Sequence, residues 1–66
     1  MEIVFNGRRV DVAAATVADL LAEFSVSLNR IAVEHNRVLL PRSTWAETRL
    51  ASGDSVEVVQ MVGGGA

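Results

Sequence analysis

The chain has 66 residues, a formal net charge of −2 and a composition that is half hydrophobic, so it has room for one small folded domain and not for two. It contains no cysteine, which excludes disulfides, thiolate metal sites and a cysteine nucleophile. Its six cationic side chains are all arginines, dispersed along an acidic chain, and this is a poor footprint for nucleic acid. Residues 1–5 carry neither a basic lead nor a long apolar run. No signal peptide or membrane span is therefore expected, and the cytoplasm is the expected compartment.

Residues 1–5 alternate as a strand, with Met1, Ile3 and Phe5 on one side and Glu2 and Val4 on the other. Asn6-Gly7 follows and predicts a tight hairpin, because a type I′ turn needs positive φ at both central residues. Residues 8–12 then return as a second strand with Val10 and Val12 facing the core. Thr16 is placed to cap a helix, and Asp19 three residues on favours the positive end of its dipole. Val17, Leu20, Leu21 and Phe24 fall on one helical face, so a helix of about ten residues is expected to end near Ser25 and to bury that stripe. A connection through Asn29 leads to residues 31–35, which alternate as a strand. Residues 38–40 form a shorter strand after a turn at Asn36-Arg37. Pro41 cannot donate to a ladder, so this strand stops there or lies at an edge. Thr44 and Glu47 have capping-box spacing and predict one helical turn, with Trp45 folding inward over the core. Ser52-Gly53-Asp54 reads as a turn, and residues 55–61 as the last strand, with Val56 and Val58 on one face and Glu57, Val59 and Met61 on the other.

The order strand, strand, helix, strand, short strand, helical turn, strand predicts an α+β domain. One main helix crosses a small mixed sheet, and the last strand lies beside the first in the centre. This is the β-grasp arrangement of ubiquitin-like proteins. It is expected over residues 1–62, with residues 63–66 as a flexible glycine tail.

Little in the chain suggests catalysis. His35 is the single histidine and has no ligand or triad companion near it in sequence, so it reads as a strand-end residue without chemistry. No nucleophile elbow and no phosphate-cradling loop is present, and the chain is not expected to be an enzyme, to bind a metal or to hold a cofactor. The informative stretch is the ending, Val62-Gly63-Gly64-Gly65-Ala66, which follows the last strand without a spacer. Glycines lack the Cβ that would bar a narrow channel. Fully extended at ~3.3–3.6 Å per residue, residues 62–65 reach about 13–14 Å. Val59 and Met61, with Val4 from the neighbouring strand, are expected to form a contiguous apolar docking spot on the open face, with Val62 and Gly63 continuing it. Arg8, Arg9, Arg37 or Arg42 are placed to rim it. A terminal carboxylate is a poor electrophile, and activation by ATP to an acyl-adenylate makes it open to attack by a thiol or persulfide, with the chemistry supplied by a partner.

Over nearly its whole length the chain resembles the ThiS family of sulfur carriers of thiamine biosynthesis. The matching segments are Ile3-Val4-Phe5-Asn6-Gly7, Thr16-Val17-Ala18-Asp19-Leu20-Leu21, Val33-Glu34-His35-Asn36, Leu40-Pro41-Arg42 followed by Trp45, Gly53-Asp54-Ser55-Val56-Glu57 and Val62-Gly63-Gly64-Gly65. The Pro-Arg-x-x-Trp segment separates it from the MoaD-type molybdopterin carriers. The resemblance implies that Gly64-Gly65 is the functional diglycine and that a ThiF-like adenylating enzyme activates Gly65 with ATP and magnesium. It further implies that a cysteine desulfurase supplies sulfur for a thiocarboxylate, which is presented to the thiazole synthase ThiG. Ala66 departs from the pattern, in which mature carriers end in Gly-Gly. Either a peptidase removes it, or it is foreign to the natural chain, or this copy does not work as a carrier; a precursor is the expectation. The competing readings are a carrier for molybdopterin or cysteine synthesis, and a ubiquitin-like module that binds without covalent chemistry.

Overall fold

A computed structural model describes residues 1–61. Five strands form one mixed sheet in the order β2-β1-β5-β3-β4. They are β1 (Glu2–Phe5), β2 (Arg8–Asp11), β3 (Ile31–His35), β4 (Val38–Leu40) and β5 (Ser55–Gln60), with helix α1 (Val17–Glu23) across one face. The expected β-grasp order is present, with β5 central. β5 runs parallel to β1, with Val4 opposite Ser55 and Phe5 opposite Val56, and antiparallel to β3 from Ile31–Gln60 to His35–Val56.

Two turns set the hairpins. Asn6 and Gly7 have φ of 51° and 82°, and Asn36 and Arg37 have 50° and 70°, so both hairpins close through two left-handed residues. Asn6 does more than turn the chain. Its Oδ1 accepts the N–H of Val58 at 2.7 Å, just past the point where β1 stops pairing with β5. The side chain thus carries the ladder on where the backbone of β1 has turned away.

Alternation along the strands builds the core. Ile3, Val17, Leu20, Leu21, Val33 and Val56 are fully buried, and Phe5, Val12, Ala14, Trp45 and Leu50 complete the cluster. Thr16 Oγ1 accepts the N–H of Asp19, the expected N-cap. The helix is shorter than its apolar stripe suggests, at seven residues. Phe24 is its C-cap and stays 39% exposed. Ser25, at φ 54°, turns the chain before another helical turn can form, and the Phe24 ring meets Phe5 at 5.0 Å between centroids. This corrects the expectation of a fully buried Phe24.

The second helical turn also falls earlier than its capping pattern predicts. It is a 3₁₀ turn over Arg42–Thr44, led in by Pro41. Thr44 does not cap it; its Oγ1 donates to the Pro41 carbonyl at 2.7 Å. Proline, with φ preset and no N–H to lose, starts this turn. Trp45 is buried as expected, and its indole N–H donates to the Leu40 carbonyl at 3.2 Å. β4 ends at Leu40 as an edge strand, directly before Pro41.

Candidate functional site

Helix α1 covers one face of the sheet and leaves the other open. On β5 the pleat sends Val56 and Val58 to the core, so Glu57 and Val59 face outward. Val59 is 54% exposed and stands opposite Ala32 of β3. Met61 follows the strand, is equally exposed, and donates its N–H to the Arg30 carbonyl at 2.6 Å. That bond marks the last described anchor before the glycines. Val62, Gly63, Gly64, Gly65 and Ala66 lie outside the described residues, so the tail and the boundary after residue 62 rest on the sequence.

Val4 does not join Val59. It is half-buried and level with Ser55, four residues back along β5, or about 13 Å at strand rise. The space between is held by Glu57, with Glu34 directly opposite on β3. The contiguous three-residue spot expected from the sequence is therefore absent, because the parallel register brings Val4 to the start of β5 and not to its end. Leu39, 64% exposed and opposite Glu34, is an outward apolar position that sequence reasoning passed over. Of the expected rim, Arg9 pairs with Val4 on the open face. Arg37 lies in the β3–β4 turn, and Arg42 stacks over the Trp45 ring at 5.3 Å.

His35 has a partner after all. Its Nε2 lies 2.8 Å from Asp54 Oδ2. Asn36 donates to Asp54 Oδ1 at 3.3 Å, and the Ala51 N–H reaches Oδ2 at 2.8 Å. Burial alone would raise the Asp54 pKa, but the hydrogen bonds from His35, Ala51 and Asn36 together outweigh it and hold the carboxyl below its ordinary value. Asn36 Oδ1 in turn accepts the Ser55 N–H. This network fastens the start of β5 to the β3–β4 turn, at the end of the sheet remote from Met61. It positions the strand and takes no part in the docking face. Among the described residues no group of three His, Asp or Glu side chains is placed to hold a metal, and no helix is long and apolar enough to cross a membrane.

A five-stranded mixed sheet with β5 beside β1 and one helix across it defines a class, the small ubiquitin-like β-grasp proteins. The comparisons with known proteins agree and are narrower. The ThiS family model matches residues 3–65, and the chain belongs to that family. It is 32% identical to the sulfur carrier protein ThiS of Escherichia coli K12, over 98% of this chain and all of that one. A crystal structure of the thiamine biosynthesis protein ThiS from Geobacter metallireducens superposes with a TM-score of 0.85 at 32% identity, covering 98% of this chain and 100% of that one. The chain is also 38% identical to part of a thiazole synthase of Paramagnetospirillum magneticum. There it matches 98% of its own length but spans only 20% of that protein.

Proposed function

We propose that this protein is a sulfur carrier for thiazole formation in thiamine biosynthesis. The observation that carries the reading is the direct run of the central strand β5, anchored on both sides, into the Gly63-Gly64-Gly65 sequence. The names of the relatives in Escherichia coli and Geobacter metallireducens support it. The thiazole synthase with a similar segment within its own chain supports a thiazole synthase as the acceptor.

In this reading Gly65 is the residue that reacts. Its carboxylate attacks the α-phosphate of ATP on a ThiF-like enzyme that holds the magnesium, and pyrophosphate leaves. A persulfide fed by a cysteine desulfurase then attacks the acyl-adenylate and displaces AMP. A further thiol cleaves the resulting sulfur–sulfur bond, leaving the thiocarboxylate on Gly65 and a disulfide on the partner. The carrier supplies the handle, and the partner's closed site excludes water from the activated ester. Val59 and Met61 dock the body, Val62 and Gly63 lead the chain in, and Gly64 and Gly65 enter the channel. Val4 contributes at the far margin of the face. A peptidase removes Ala66 first, since a terminal methyl group does not fit a site shaped for glycine.

The test compares adenylate formation by the cognate activating enzyme on this chain and on a version ending at Gly65. Turnover of the shorter chain alone is expected. Equal activity of the two would sink the processing step, and no adenylate from either would sink the carrier reading. Intact-mass analysis from cells provides the second readout, through loss of Ala66 and exchange of one oxygen for sulfur.

A further inference from the structure

The two edges of the sheet are unlike. β2 forms one of them and carries Arg8, Arg9 and Asp11, all exposed, and charge of this kind discourages a stray strand from pairing there. β4 forms the other and reads Val38-Leu39-Leu40, with Val38 61% and Leu39 64% exposed. A sheet edge is recognised through its backbone, so the register decides what it offers. In a two-residue hairpin the residues that close the turn exchange hydrogen bonds, here His35 and Val38. The antiparallel alternation then points the N–H and C=O of Leu39 away from β3. Leu39 thus presents one donor and one acceptor on the outer side of the sheet.

Positive charge frames this edge at both ends. Arg37 precedes Val38, in the left-handed second position of the turn at φ 70°, and Arg42 follows Pro41 with its guanidinium 5.3 Å over the Trp45 ring. Both arginines are exposed, and among the described residues neither takes part in an ion pair. Glu34 stands directly behind Leu39 on β3 and disfavours a carboxylate at the centre of the edge. A second copy of the chain is a poor occupant. Pairing β4 with β4 about Leu39 sets Arg37 of one copy against Pro41 and Arg42 of the other, and proline has no N–H to give. Three residues a side also bury far less than the ~1,200–2,000 Å² of a stable interface.

We propose that the β4 edge is a docking site for an extended segment of another protein, in which three apolar residues are bracketed by aspartate or glutamate. In antiparallel pairing the middle apolar residue exchanges both backbone bonds with Leu39 and lies beside its side chain on the open face. Its two neighbours lie on the helix side against Val38 and Leu40, and the acidic ends meet Arg37 and Arg42. The site is two strand spacings, about 10 Å, from β5 and leaves Val59 and Met61 uncovered. The inference therefore goes beyond the carrier reading and does not depend on it.

The experiment titrates the full chain, isotope-labelled, with the synthetic peptide Glu-Asp-Val-Ile-Val-Asp-Glu and follows the amide NMR spectrum. Binding on the order of millimolar is expected for so short an edge, with shifts confined to β4 and its flanks and slower exchange of the Leu39 amide. The same peptide with lysine in place of its acids is expected to bind at least about tenfold more weakly. Leu39→Pro removes the outward N–H and spares the bonds to β3, a change an edge strand tolerates, and is expected to weaken binding roughly tenfold. Arg37→Gln covers the case in which the proline variant folds poorly, and is expected to weaken the acidic peptide about threefold. Circular dichroism of each variant reports folding. Equal binding of the two peptides, shifts at β2 or α1 in place of β4, or no shift of the Leu39 amide at roughly ten times the expected concentration would each overturn the proposal. A folded variant that binds as tightly as the parent would do the same. Concentration-dependent shifts of the β4 amides in the chain alone would make a second copy the occupant and overturn it too.

Discussion

Replacing Asn6 separates two things it does at once. It holds φ at 51° in the first turn, and its Oδ1 takes the Val58 N–H at 2.7 Å. An alanine in the left-handed region costs about 1–2 kcal/mol, and loss of an ordinary hydrogen bond about 1 kcal/mol. Asn6→Ala is therefore expected to cost about 2–3 kcal/mol in total. Asn6→Gly, which removes the bond but accepts the backbone, is expected to cost about 1 kcal/mol. Asn6→Asp keeps an acceptor in place and should lie close to the parent. At 0.05–0.15 kcal/mol per residue a domain of this size has roughly 3–10 kcal/mol in all. The alanine variant thus sacrifices a large share, equivalent to roughly 10–20 °C in Tm. The assay is urea unfolding followed through the single tryptophan, buried at Trp45, with circular dichroism as a second probe. A glycine variant as stable as the parent would refute the Val58 bond as a contributor. A glycine variant as damaged as the alanine one would refute the backbone argument.

Three further outcomes are expected. Val59→Gln removes an exposed apolar contact worth about 1.5 kcal/mol on burial, so association with thiazole synthase should weaken about tenfold while Tm changes little, as read by titration calorimetry and thermal melts. The Asp54 carboxyl is held below its ordinary value when folded, so its contribution is full above the unfolded pKa of about 3.9 and is lost as pH falls through the folded value. Asp54→Asn should accordingly flatten the acid limb of the stability profile, and an unchanged limb in urea titrations across low pH would remove this network from the account. Leu20→Ala, at a fully buried position, is expected to cost about 3–5 kcal/mol, enough to leave much of the protein unfolded at 37 °C by circular dichroism.

Local signals in the sequence were legible where a few neighbouring residues settle the backbone. Asn6-Gly7 marks the first hairpin, Thr16 the helix start and Pro41 the end of β4, and each is found there. The central place of β5 was legible too, because the first hairpin left β1 in need of a second partner. The register of that pairing was not. No turn links β1 to β5, so nothing local says that Val4 meets Ser55, and the apolar spot drawn through Val4 and Val59 is broken by Glu57. His35 looked solitary for a similar reason, since Asp54 is 19 residues away in sequence and arrives only when β3 and β5 pair. Phe24 fits the helical period, but the left-handed Ser25 ends the helix first. The part of the proposed function that falls on Gly64 and Gly65 rests on the sequence alone, as they lie beyond the described residues.

The central position of β5 also determines how the molecule bears load. A partner that draws the terminus inward pulls along the axis of β5, which is laddered to β1 on one side and β3 on the other. Force applied that way shears both ladders together, so many hydrogen bonds must fail at once, whereas an edge strand peeled sideways yields them one at a time. Asn6 and the Met61–Arg30 bond add resistance near the point where tension enters. Tension applied to β5 at Met61 would therefore be spread over three strands and would not peel one of them away.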